Sequence, residues 1–441
     1  MDGRRVALFC ITLIAVSAAR LRAAEFFGLG DLPGGLFESR ANQVSGNGST
    51  VVGYSLSGSN QGQEAFRWTR ATGMVALGDL PGGPYFSAAT GVSYNGSVVA
   101  GAGHSDKPSG GQEAFLWTAA AGMVGKGDLP GGPFSSRFQS ISADGSVAVG
   151  GAASDLGFEA VRWTSETGMV ALGDLPGGLH QSEAFDISAD GSVIVGAGYG
   201  ALTYGEAFRW TEATGMEGLG DLPGGHLGGS IAWGLSADGR VIVGQGQSQL
   251  QGEAFRWTEQ EGMVGLGFTT DCTLSSATSA SRDGAVIVGQ SCGGFVWNEA
   301  DGMRRLTDVL ANLGVDLGGW DPYFASDISW DGNVIVGVGT NPQGNTEAWM
   351  AILHEPEPVP GDTDTDGDVD IIDFNNVRNN FGSTGLGDTD ANGTVDIRDL
   401  NNVRNNFGAG QLAIVPEPCT YALATIGLIG MAGVIRQRKR R

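Results

Sequence analysis

The chain has 441 residues, a formal net charge of −23 and a sequence pI of about 4.4. So acidic a chain repels nucleic-acid phosphates and anionic lipid headgroups, which excludes nucleic acid as a partner and suits divalent cations. Hydrophobic residues make up 41% of the sequence, enough for two or three domains with buried cores. The 76 glycines follow no collagen period and are typical of short strands joined by tight turns.

Residues 1–24 have the pattern of a secretory signal peptide. Arg4 and Arg5 precede an apolar run at 6–18 that is too short to cross a bilayer well, and small residues follow it. Cleavage after Ala19 and cleavage after Ala24 both fit this pattern, and the alternative is an uncleaved anchor. We therefore expect the rest of the chain to be exported.

Seven copies of one unit organise residues 25–354. With variations, each reads Ser-Ala-Asp-Gly-Ser, an apolar strand ending in Gly, Glu-Ala-Phe-Arg-Trp-Thr, Gly-Met-Val and Leu-Gly-Asp-Leu-Pro-Gly-Gly. The tryptophan recurs about every 40 to 52 residues, which is the length of one four-stranded propeller blade. The marker tryptophans are Trp68, Trp117, Trp163, Trp210, Trp257, Trp297 and Trp349.

Each unit predicts four strands. An Asn-Gly or Asp-Gly pair predicts a type I′ hairpin turn, which requires positive φ at both central residues. The β-branched run after this turn, such as 193–195, is the second strand, and the alternating Glu-Ala-Phe-Arg-Trp segment is the third. Met-Val and the following Gly-Asp-Leu segment are expected to form the fourth strand.

The two ends of the repeat region complement each other. The last unit stops at 349–353 without a fourth strand, and an orphan fourth strand at 26–32 precedes the first unit. A closed ring uses this offset, because the N-terminal strand then completes the last blade and leaves no exposed sheet edge. We therefore predict a mainly β fold with a seven-bladed β-propeller; the alternative is an open β-solenoid.

These repeats resemble the HAF-type extracellular repeat family over about three quarters of the chain. The sixth unit departs from the pattern, because 268–272 replaces Asp-Leu-Pro-Gly-Gly, and an insert at 306–320 predicts a short helix. Cys272 and Cys292 are the two cysteines of the predicted exported body, and in an oxidising compartment we expect them to form one disulfide.

Two acidic positions recur in the repeats. An acid that every unit needs is better explained as a turn cap or strand partner than as a catalyst. The aspartates are Asp31, Asp79, Asp128, Asp174 and Asp221, and the glutamates are Glu64, Glu113, Glu159, Glu206, Glu253 and Glu347. We therefore predict structural roles for both sets.

Residues outside the repeat pattern mark a candidate ligand face. They lie near the variable loops that join strands two and three and that join one blade to the next, and loops carry binding on rigid scaffolds. They are Tyr85, His104, His180, Tyr199, Tyr204, His226, Trp233, Trp320 and Tyr323. Aromatic and amide-rich rims suit sugars; the alternative is that these side chains pack between loops.

Two acidic loops fill residues 361–408, after a Pro/Glu linker at 355–360. Each has oxygen ligands at positions 1, 3, 5, 9 and 12, a backbone carbonyl at position 7 and glycine at position 6, which is EF-hand-type geometry for a hard cation. The predicted ligands are Asp362, Asp364, Asp366, Asp368, Asp370 and Asp373 in the first loop and Asp388, Asp390, Asn392, Thr394, Asp396 and Asp399 in the second.

Each loop is expected to open a short helix with one apolar face. The face consists of Phe374, Val377 and Phe381 in the first copy and of Leu400, Val403 and Phe407 in the second. The apolar residues at position 8 of the loops, Val369 and Val395, should couple the two copies. Because a unit of this size buries little apolar surface, we expect bound metal to supply part of its folding free energy.

Duplicated loops with aspartate at position 12 and one helix each resemble a type I dockerin over about 48 residues. The resemblance implies two Ca²⁺ ions and docking to a cohesin. Positions 10 and 11, which are Ile371-Ile372 and Ile397-Arg398, depart from the polar pairs common in cohesin-binding dockerins. A calcium-stiffened stalk is therefore the alternative.

The C-terminal segment 415–441 has a motif, an apolar run and a basic tail in that order. The motif is Val415, Pro416, Glu417 and Pro418, the apolar run is 419–435, and the basic tail is 436–441. The run is barely long enough to span a membrane as a helix, and the basic tail favours a cytoplasmic end. The order resembles a PEP-CTERM sorting signal, which implies a Gram-negative-type host and an exosortase-type sorting enzyme; a simple tail anchor is the alternative.

Together these patterns predict an exported surface or extracellular-matrix protein that contacts polysaccharide or protein and is not an enzyme. The alternative is a secreted glycosidase built on the propeller, which needs two carboxylates about 5 to 10 Å apart in one cleft. Acids outside the repeat positions, such as Asp186, have no spacing that pairs them, and no nucleophile, metalloprotease or nucleotide motif is present. A pair of such carboxylates in the central channel would favour the enzyme.

Overall fold

A computed structural model describes residues 24–58, 62–107, 111–200, 205–224, 229–249, 251–353, 363, 369, 371–382 and 394–406. The chain divides into two compact units, Met1–Pro356 and Glu357–Arg441. The linker at 355–360, the sorting segment 415–441 and nearly all of the predicted signal peptide lie outside the described residues. Within the described ranges, none of the helices has both the length and the apolar character that a membrane span requires.

Residues 24–353 form seven four-stranded antiparallel sheets. Blade 1 contains β2 (Gly34–Val44), β3 (Thr50–Ser57), β4 (Gln63–Thr69) and β5 (Gly73–Gly78). Blade 2 contains β6 (Gly82–Val92), β7 (Val98–Ser105), β8 (Gln112–Thr118) and β9 (Gly122–Gly125). Blade 3 contains β10 (Gly131–Ile141), β11 (Val147–Ser154), β12 (Phe158–Thr164) and β13 (Gly168–Ala171).

The remaining sheets follow in chain order. Blade 4 contains β14 (Ser182–Ile187), β15 (Val193–Tyr199), β16 (Gly205–Thr211) and β17 (Gly215–Gly218). Blade 5 contains β18 (Ile231–Leu235), β19 (Ile242–Gln247), β20 (Gly252–Thr258) and β21 (Gly262–Gly265). Blade 6 contains β22 (Ser276–Ala280), β23 (Ile287–Gln290), β24 (Gly294–Asn298) and β25 (Gly302–Arg305). Blade 7 contains β26 (Asp321–Ile328), β27 (Val334–Thr340), β28 (Thr346–Ile352) and, from the N-terminus, β1 (Glu25–Gly28).

The N-terminal strand closes the ring. Strand β1 pairs antiparallel with β28, so that Phe26 lies opposite Ala351 and Phe27 opposite Met350. The first strands of successive blades contact one another around the ring, and β2 contacts β26. The predicted seven-bladed propeller is therefore confirmed, and the open solenoid is excluded. The closing strand ends at Gly28, however, rather than at residue 32.

The turn after each inner strand differs from the predicted type I′ turn. In blade 3, the Asp144 carboxylate accepts hydrogen bonds from the Ser142 hydroxyl (2.8 Å) and the Ser146 backbone N–H (2.9 Å). Gly145 has φ +74°, whereas Asp144 does not have positive φ. The side chain of Asp144 stabilises the ordinary backbone conformation, so only the glycine must be left-handed.

Met-Val and the Gly-Asp-Leu segment were predicted to form the fourth strand; Met-Val lies in this strand, but the inclusion of Asp-Leu is wrong. Strand β5 ends at Gly78, and the segment after it forms the connection to the next inner strand. Asp79 caps this connection by accepting hydrogen bonds from the backbone N–H groups of Leu80 (2.9 Å) and Phe86 (3.1 Å). Glu113 accepts one from the N–H of Gly127 (3.1 Å) in the equivalent connection. Both repeated acids therefore have structural partners in these blades.

Neighbouring blades are joined by a buried serine. The Ser87 hydroxyl donates to the carbonyl of Gly78 (2.7 Å) and accepts from the backbone N–H of Ala65 in the preceding blade (3.0 Å). The same pattern recurs at Ser39, Ser136, Ser182, Ser230 and Ser275. These bonds satisfy buried backbone groups where two sheets meet.

The apolar core lies between the sheets, where five of the third strands bury a phenylalanine fully, as at Phe66 and Phe115, and blade 3 buries Val161 at the same position. Trp349 was aligned with the marker tryptophans, but it lies opposite Gly337 just as Phe66 lies opposite Gly53. Trp349 therefore occupies the phenylalanine position and is fully buried.

Blade 6 is irregular. The predicted helix is α1 (Leu306–Asn312), which buries Leu306 and Leu310 in the core next to blade 7. Cys272 and Cys292 are joined by a disulfide, with their Cα atoms 5.8 Å apart. Where other connections use an aspartate, the Thr269 hydroxyl donates to the carbonyl of Ser291 (2.6 Å). The bridge and this bond thus fix the connection that lacks the repeat motif.

The second unit contains α2 (Ile371–Asn380) and α3 (Ile397–Asn406). One cluster contains the fully buried Val369, Val377, Val395 and Val403, with Phe374 and Leu400 packed against it. The position 8 valines therefore meet, as the sequence predicts. Phe381 was predicted on the apolar face, but it lies beyond the end of α2 and is 55% exposed, and Phe407 lies outside the described residues.

Candidate functional site in the central channel

Every inner strand has a β-bulge at the same repeat position. The extra residue lies opposite no partner, and such bulges redirect side chains in a sheet. The bulged residues are Asn42, Thr90, Gln139, Phe185, Trp233, Thr278 and Ser326. Because the inner strands surround the central channel, this position forms a ring in the channel wall.

Four bulged residues join their blade to the next one. Their side chains donate hydrogen bonds of 2.7–2.8 Å to the backbone carbonyl at the equivalent position of the following blade. The pairs are Asn42–Ala89, Thr90–Phe138, Thr278–Ala325 and Ser326–Ala41. The ordinary role of this position is therefore structural.

Blades 3 to 5 depart from that role. Gln139 donates to the Glu183 carboxylate (2.8 Å), which also accepts two bonds of 2.6 Å from the Arg137 guanidinium. Phe185 has no polar side-chain atom, and among the described residues no hydrogen bond from the Trp233 indole joins its blade to the next; the two rings pack against each other instead, with centroids 4.7 Å apart and planes tilted by 42°. Trp233 is 36% exposed, which is high for a tryptophan on an inner strand. One arc of the channel thus has an aromatic surface beside a charged pair.

The residue after each bulge forms a second ring. Its members are Gln43, Gly91, Ser140, Asp186, Gly234, Ser279 and Asp327. Asp186 accepts hydrogen bonds from the Ser140 hydroxyl of blade 3 (2.7 Å) and from the backbone N–H of Leu235 in blade 5 (3.0 Å). A Cβ at Gly234 would lie 2.5 Å from the Thr278 carbonyl oxygen, so this close approach of strands requires glycine.

Asp327 repeats the arrangement of Asp186 three blades further on. It accepts from the Ser279 hydroxyl of blade 6 (2.5 Å) and from the backbone N–H of Val44 in blade 1 (2.8 Å). Each aspartate therefore connects three successive blades.

Burial raises the pKa of both channel aspartates. The pKa of Asp186 rises to about 6. The pKa of Asp327 rises to about 7, first because of burial and further because of the charge on Asp186. Desolvation disfavours the ionised carboxylate, and hydrogen bonds from the flanking blades offset only part of this cost. The two groups are thus off-repeat carboxylates that interact in the channel.

The channel is narrow next to this pair. A cavity of about 50 Å³ lies between the aspartates and Tyr94 and Trp330, whose rings are 4.7 Å apart. The turns beyond it are joined blade to blade by backbone hydrogen bonds of 2.9–3.3 Å. Their donor–acceptor pairs are Asn47–Tyr94, Tyr94–Ala143, Ala143–Ala189, Ala189–Ala237, Asp238–Arg282, Arg282–Trp330 and Trp330–Gly46. Such a cavity holds one or two water molecules, which occupy about 30 Å³ each.

The predicted ligand residues that the structure describes differ in their surroundings. The Tyr85 hydroxyl donates to Glu64 (2.5 Å), and Tyr85 lies in β6 rather than in a loop. His104 stacks on Phe86 with ring centroids 4.8 Å apart, and Trp320 packs edge-on against Phe26.

Three further predicted residues have other surroundings. His180 contacts the Asp174 carboxylate (3.4 Å), and Tyr199 and Tyr323 are half-buried at the end of β15 and within β26. Tyr204 and His226 lie outside the described residues. Of the predicted set, Trp233 is the one that the structure brings into the channel arc. Sequence reasoning missed Asp327. Its signal in the sequence is its position directly before an Ile-Ser-x-Asp-Gly segment, a position that it shares with Asp186.

Four predicted metal ligands lie within the described residues: Asp373, Thr394, Asp396 and Asp399. Asp373 and Asp399 are buried at equivalent places in the first turn of α2 and α3. Asp373 accepts from the backbone N–H (2.5 Å) and hydroxyl (2.9 Å) of Thr363, and Asp399 accepts from the N–H of Asp396 (2.7 Å).

The other eight predicted metal ligands are Asp362, Asp364, Asp366, Asp368, Asp370, Asp388, Asp390 and Asn392, and they lie outside the described residues. Among the residues that are described, no three His, Cys, Asp or Glu side chains are grouped to hold a metal ion. The predicted set contains oxygen donors alone, which fits a hard cation such as Ca²⁺.

No protein-family model matches the sequence, and no curated protein matches it in a sequence comparison. Solved structures with similar folds include an oligogalacturonate lyase from Vibrio parahaemolyticus, at 10% identity and TM-score 0.46, covering 75% of this chain and 97% of that one. The propeller domain of the trilobed protease from Pyrococcus furiosus matches at 9% identity and TM-score 0.46, covering 76% and 95%. TolB from Acinetobacter baumannii matches at 12% identity and TM-score 0.36, covering 54% of this chain and about half, 53%, of its own. Matches this distant identify no function for the chain.

Proposed function

We propose that this protein is an exported, calcium-dependent binding or structural protein of a bacterial cell surface or extracellular matrix. The propeller is the head that contacts polysaccharide or protein. Residues 361–408 bind two Ca²⁺ ions and act as a cohesin-docking module or a stalk. The signal peptide at 1–24 directs export, and an exosortase-type enzyme sorts the segment 415–441. The support for export and sorting is the sequence pattern at the two ends.

The observation that carries the binding role is the Phe185–Trp233 pair. At their ring position, other blades use a hydroxyl or amide to join the next blade. Blades 4 and 5 lack this bond and instead have two aromatic rings packed against each other in the channel wall. Trp233 is partly exposed there. Aromatic faces supply large, rigid apolar area, and a pyranose ring offers a matching C–H face. We therefore place polysaccharide contact at this arc.

The test replaces Trp233 by the residue that blades 2 and 6 have at this position. Trp233→Thr restores the repeat, and its hydroxyl can donate to the Ala277 carbonyl as Thr278 donates to that of Ala325. We expect the full chain to bind members of a panel of purified neutral polysaccharides, and the variant to bind them at least tenfold more weakly with an unchanged melting temperature. Phe37→Thr removes a 43% exposed aromatic residue outside this ring and is the control. Equal binding by wild type and Trp233→Thr would contradict the proposal.

The calcium role is supported by the oxygen-only ligand set and by burial of Asp373 and Asp399 in two equivalent helical turns. Bound Ca²⁺ would supply compensating charge for the loop carboxylates. Asp373 and Asp399 would hold the ion against the first turns of α2 and α3, while Val369 and Val395 keep the two copies together. The small core of four valines explains why this unit would depend on the ions.

A glycosidase is the alternative, and the channel pair Asp186 and Asp327 favours it, because both carboxylates lie outside the repeat pattern and have raised pKa values. Two observations weigh against it. The adjacent cavity of about 50 Å³ is far below the roughly 300 Å³ of a small ligand pocket. Each carboxylate is also held by hydrogen bonds from both flanking blades.

An assay for new reducing ends separates the two functions. We expect wild-type protein to release none from the polysaccharides that it binds. Release that is abolished by both Asp186→Asn and Asp327→Asn would support the glycosidase instead.

A further inference from the structure

A cleft of about 420 Å³ lies between blades 3 and 4. It is lined by Arg162 of β12, by Gly191–Val193 at the start of β15, by Arg209, Trp210 and Thr211 of β16, and by Glu212 and Ala213 in the turn after β16. These elements belong to the face with the Asp-Gly and Thr-Gly turns, opposite the variable loops. The volume is in the range of small-ligand pockets.

The two arginines in this cleft differ from the arginines at the same repeat position in blades 1 and 5. Blades 1 and 5 also have an arginine at this repeat position, and both of these arginines have hydrogen-bond or ion-pair partners. Arg67 donates to the carbonyl of Gly96 (3.0 Å) and the Thr50 hydroxyl (3.2 Å), and Arg256 pairs with Glu261 (2.7 Å). Within the described part of the chain, the guanidinium groups of Arg162 and Arg209 form neither an ion pair nor a hydrogen bond.

This combination is specific to one cleft of the propeller. The equivalent residue is Leu116 in blade 2, Val296 in blade 6 and Met350 in blade 7, so consecutive arginines occur only in blades 3 to 5. Between blades 4 and 5, Arg240 stands where Ser192 stands between blades 3 and 4. The short Ser192 side chain leaves the cleft open.

We infer that this cleft binds a uronic acid unit of an acidic polysaccharide. Guanidinium groups bind carboxylates through two parallel hydrogen bonds, and five N–H donors on each arginine are free to do so. Trp210 also lines the cleft and supplies an aromatic surface for a sugar ring. An acidic peptide shares the carboxylate but has no ring to place on Trp210. The two guanidinium groups outnumber the one carboxylate of the lining, Glu212, so this cleft carries a net positive charge in a chain of net charge −23 and favours an anion.

The site goes beyond the channel arc, because it lies between blades rather than on the inner strands and uses charge rather than aromatic stacking alone. The two sites therefore fail independently. Trp233→Thr should leave uronate binding at the cleft unchanged.

The test measures binding of the full chain to soluble polyglucuronate by calorimetry, with dextran, dextran sulfate and polyglutamate as comparison ligands. Arg162→Leu and Arg209→Leu install the residue that blade 2 already has at this position, so the fold should be kept, and melting curves check this. We expect each to weaken polyglucuronate binding at least tenfold. Arg256→Leu removes the same charge from an arginine that Glu261 already holds, and should bind as wild type does.

Each of the following outcomes would contradict the assignment of this cleft to a uronic acid unit. Absence of polyglucuronate binding, or unchanged binding by both cleft variants, removes the site. Equal affinity for dextran shows that the carboxylate is not recognised, and tighter binding of dextran sulfate shows a general anion site. Polyglutamate that binds as tightly, and is lost in the same variants, would assign the cleft to acidic protein segments.

Discussion

Asp327 accepts a hydrogen bond of 2.8 Å from the backbone N–H of Val44, which lies 283 residues earlier in the chain. The bond joins the last blade to the first inside the channel, while the pairing of β1 with β28 completes the last blade with the strand that precedes the first blade in the chain. Closure of the ring therefore depends on a buried carboxylate as well as on a strand. The same geometry at Asp186 connects blades 3 to 5.

This buried carboxylate predicts an unusual pH dependence of stability. The pKa of Asp327 is about 7 in the fold and that of Asp186 is about 6, both above the value of an exposed aspartate. At pH values between the pKa of an exposed aspartate and these raised pKa values, the folded state therefore binds more protons than the unfolded state. The contribution of each group is most favourable at about pH 4 and is lost as the pH rises through 6 to 7.

Asp327→Asn tests this dependence. Asparagine keeps an oxygen acceptor and stays neutral, so the variant should gain stability relative to wild type as the pH rises from 4 to 7. The gain in free energy of unfolding, measured by urea denaturation, should be on the order of 3 kcal/mol. The control is Asp190→Asn. Burial acts to raise the pKa of Asp190, but hydrogen bonds from Ser192 and Ser188 outweigh burial, so that this pKa is lowered. That variant should instead lose stability relative to wild type above pH 4, and the same pH trend in both variants would contradict the account.

The closing strand should be sensitive to truncation of Phe26. Its ring contacts those of Trp349 (5.4 Å between centroids) and Trp320 (5.5 Å). Phe26→Ala leaves a cavity at the junction of β1 and blade 7, and we expect the free energy of unfolding to fall by about 3 kcal/mol. Phe37→Ala removes a ring that is 43% exposed and should change stability by less than about 0.5 kcal/mol. Similar losses of unfolding free energy in both variants would contradict a specific role of Phe26 in ring closure.

Loss of the Cys272–Cys292 bridge should destabilise the propeller through blade 6. The bridge spans 20 residues of sequence, and closing a loop of this size stabilises a fold by about 3 kcal/mol in the chain-entropy description. The double variant Cys272→Ser, Cys292→Ser should lower the urea midpoint by a corresponding amount. Wild-type protein should show the same shift under reducing conditions, whereas the variant should not respond to reductant.

The repeats made the architecture predictable. Seven hairpin turns, seven third strands and the orphan strand before the first unit determined blade number and closure, because each repeated unit must bury its faces against its neighbours. The turn type was not predictable from Asp-Gly alone, since the Asp144 side chain bonds to Ser142 and Ser146 and changes which residue needs positive φ. Trp349 was misaligned by two residues, because an aromatic side chain fits the buried position of Phe66 equally well.

The candidate sites were less predictable, because they depend on which repeat position faces the channel or a cleft. Trp233 was identified as off-pattern, but its partner Phe185 is an ordinary apolar residue until the bulge places it in the same ring. Asp327 was not identified from the sequence, because its role depends on hydrogen bonds from Ser279 and Val44 in the two flanking blades. Arg162 and Arg209 were hidden within the repeat motif, since only the three-dimensional contacts distinguish an engaged arginine from a free one.

The most direct test of a calcium-dependent surface protein is calorimetric titration of the full chain with Ca²⁺, with circular dichroism alongside. We predict two binding events and a gain of helix, with one event lost in Asp373→Asn and the other in Asp399→Asn. Asp308→Asn, which changes an aspartate in the first turn of α1, should bind both ions. Absence of binding at millimolar Ca²⁺, or two events that survive in Asp373→Asn and Asp399→Asn, would contradict the account.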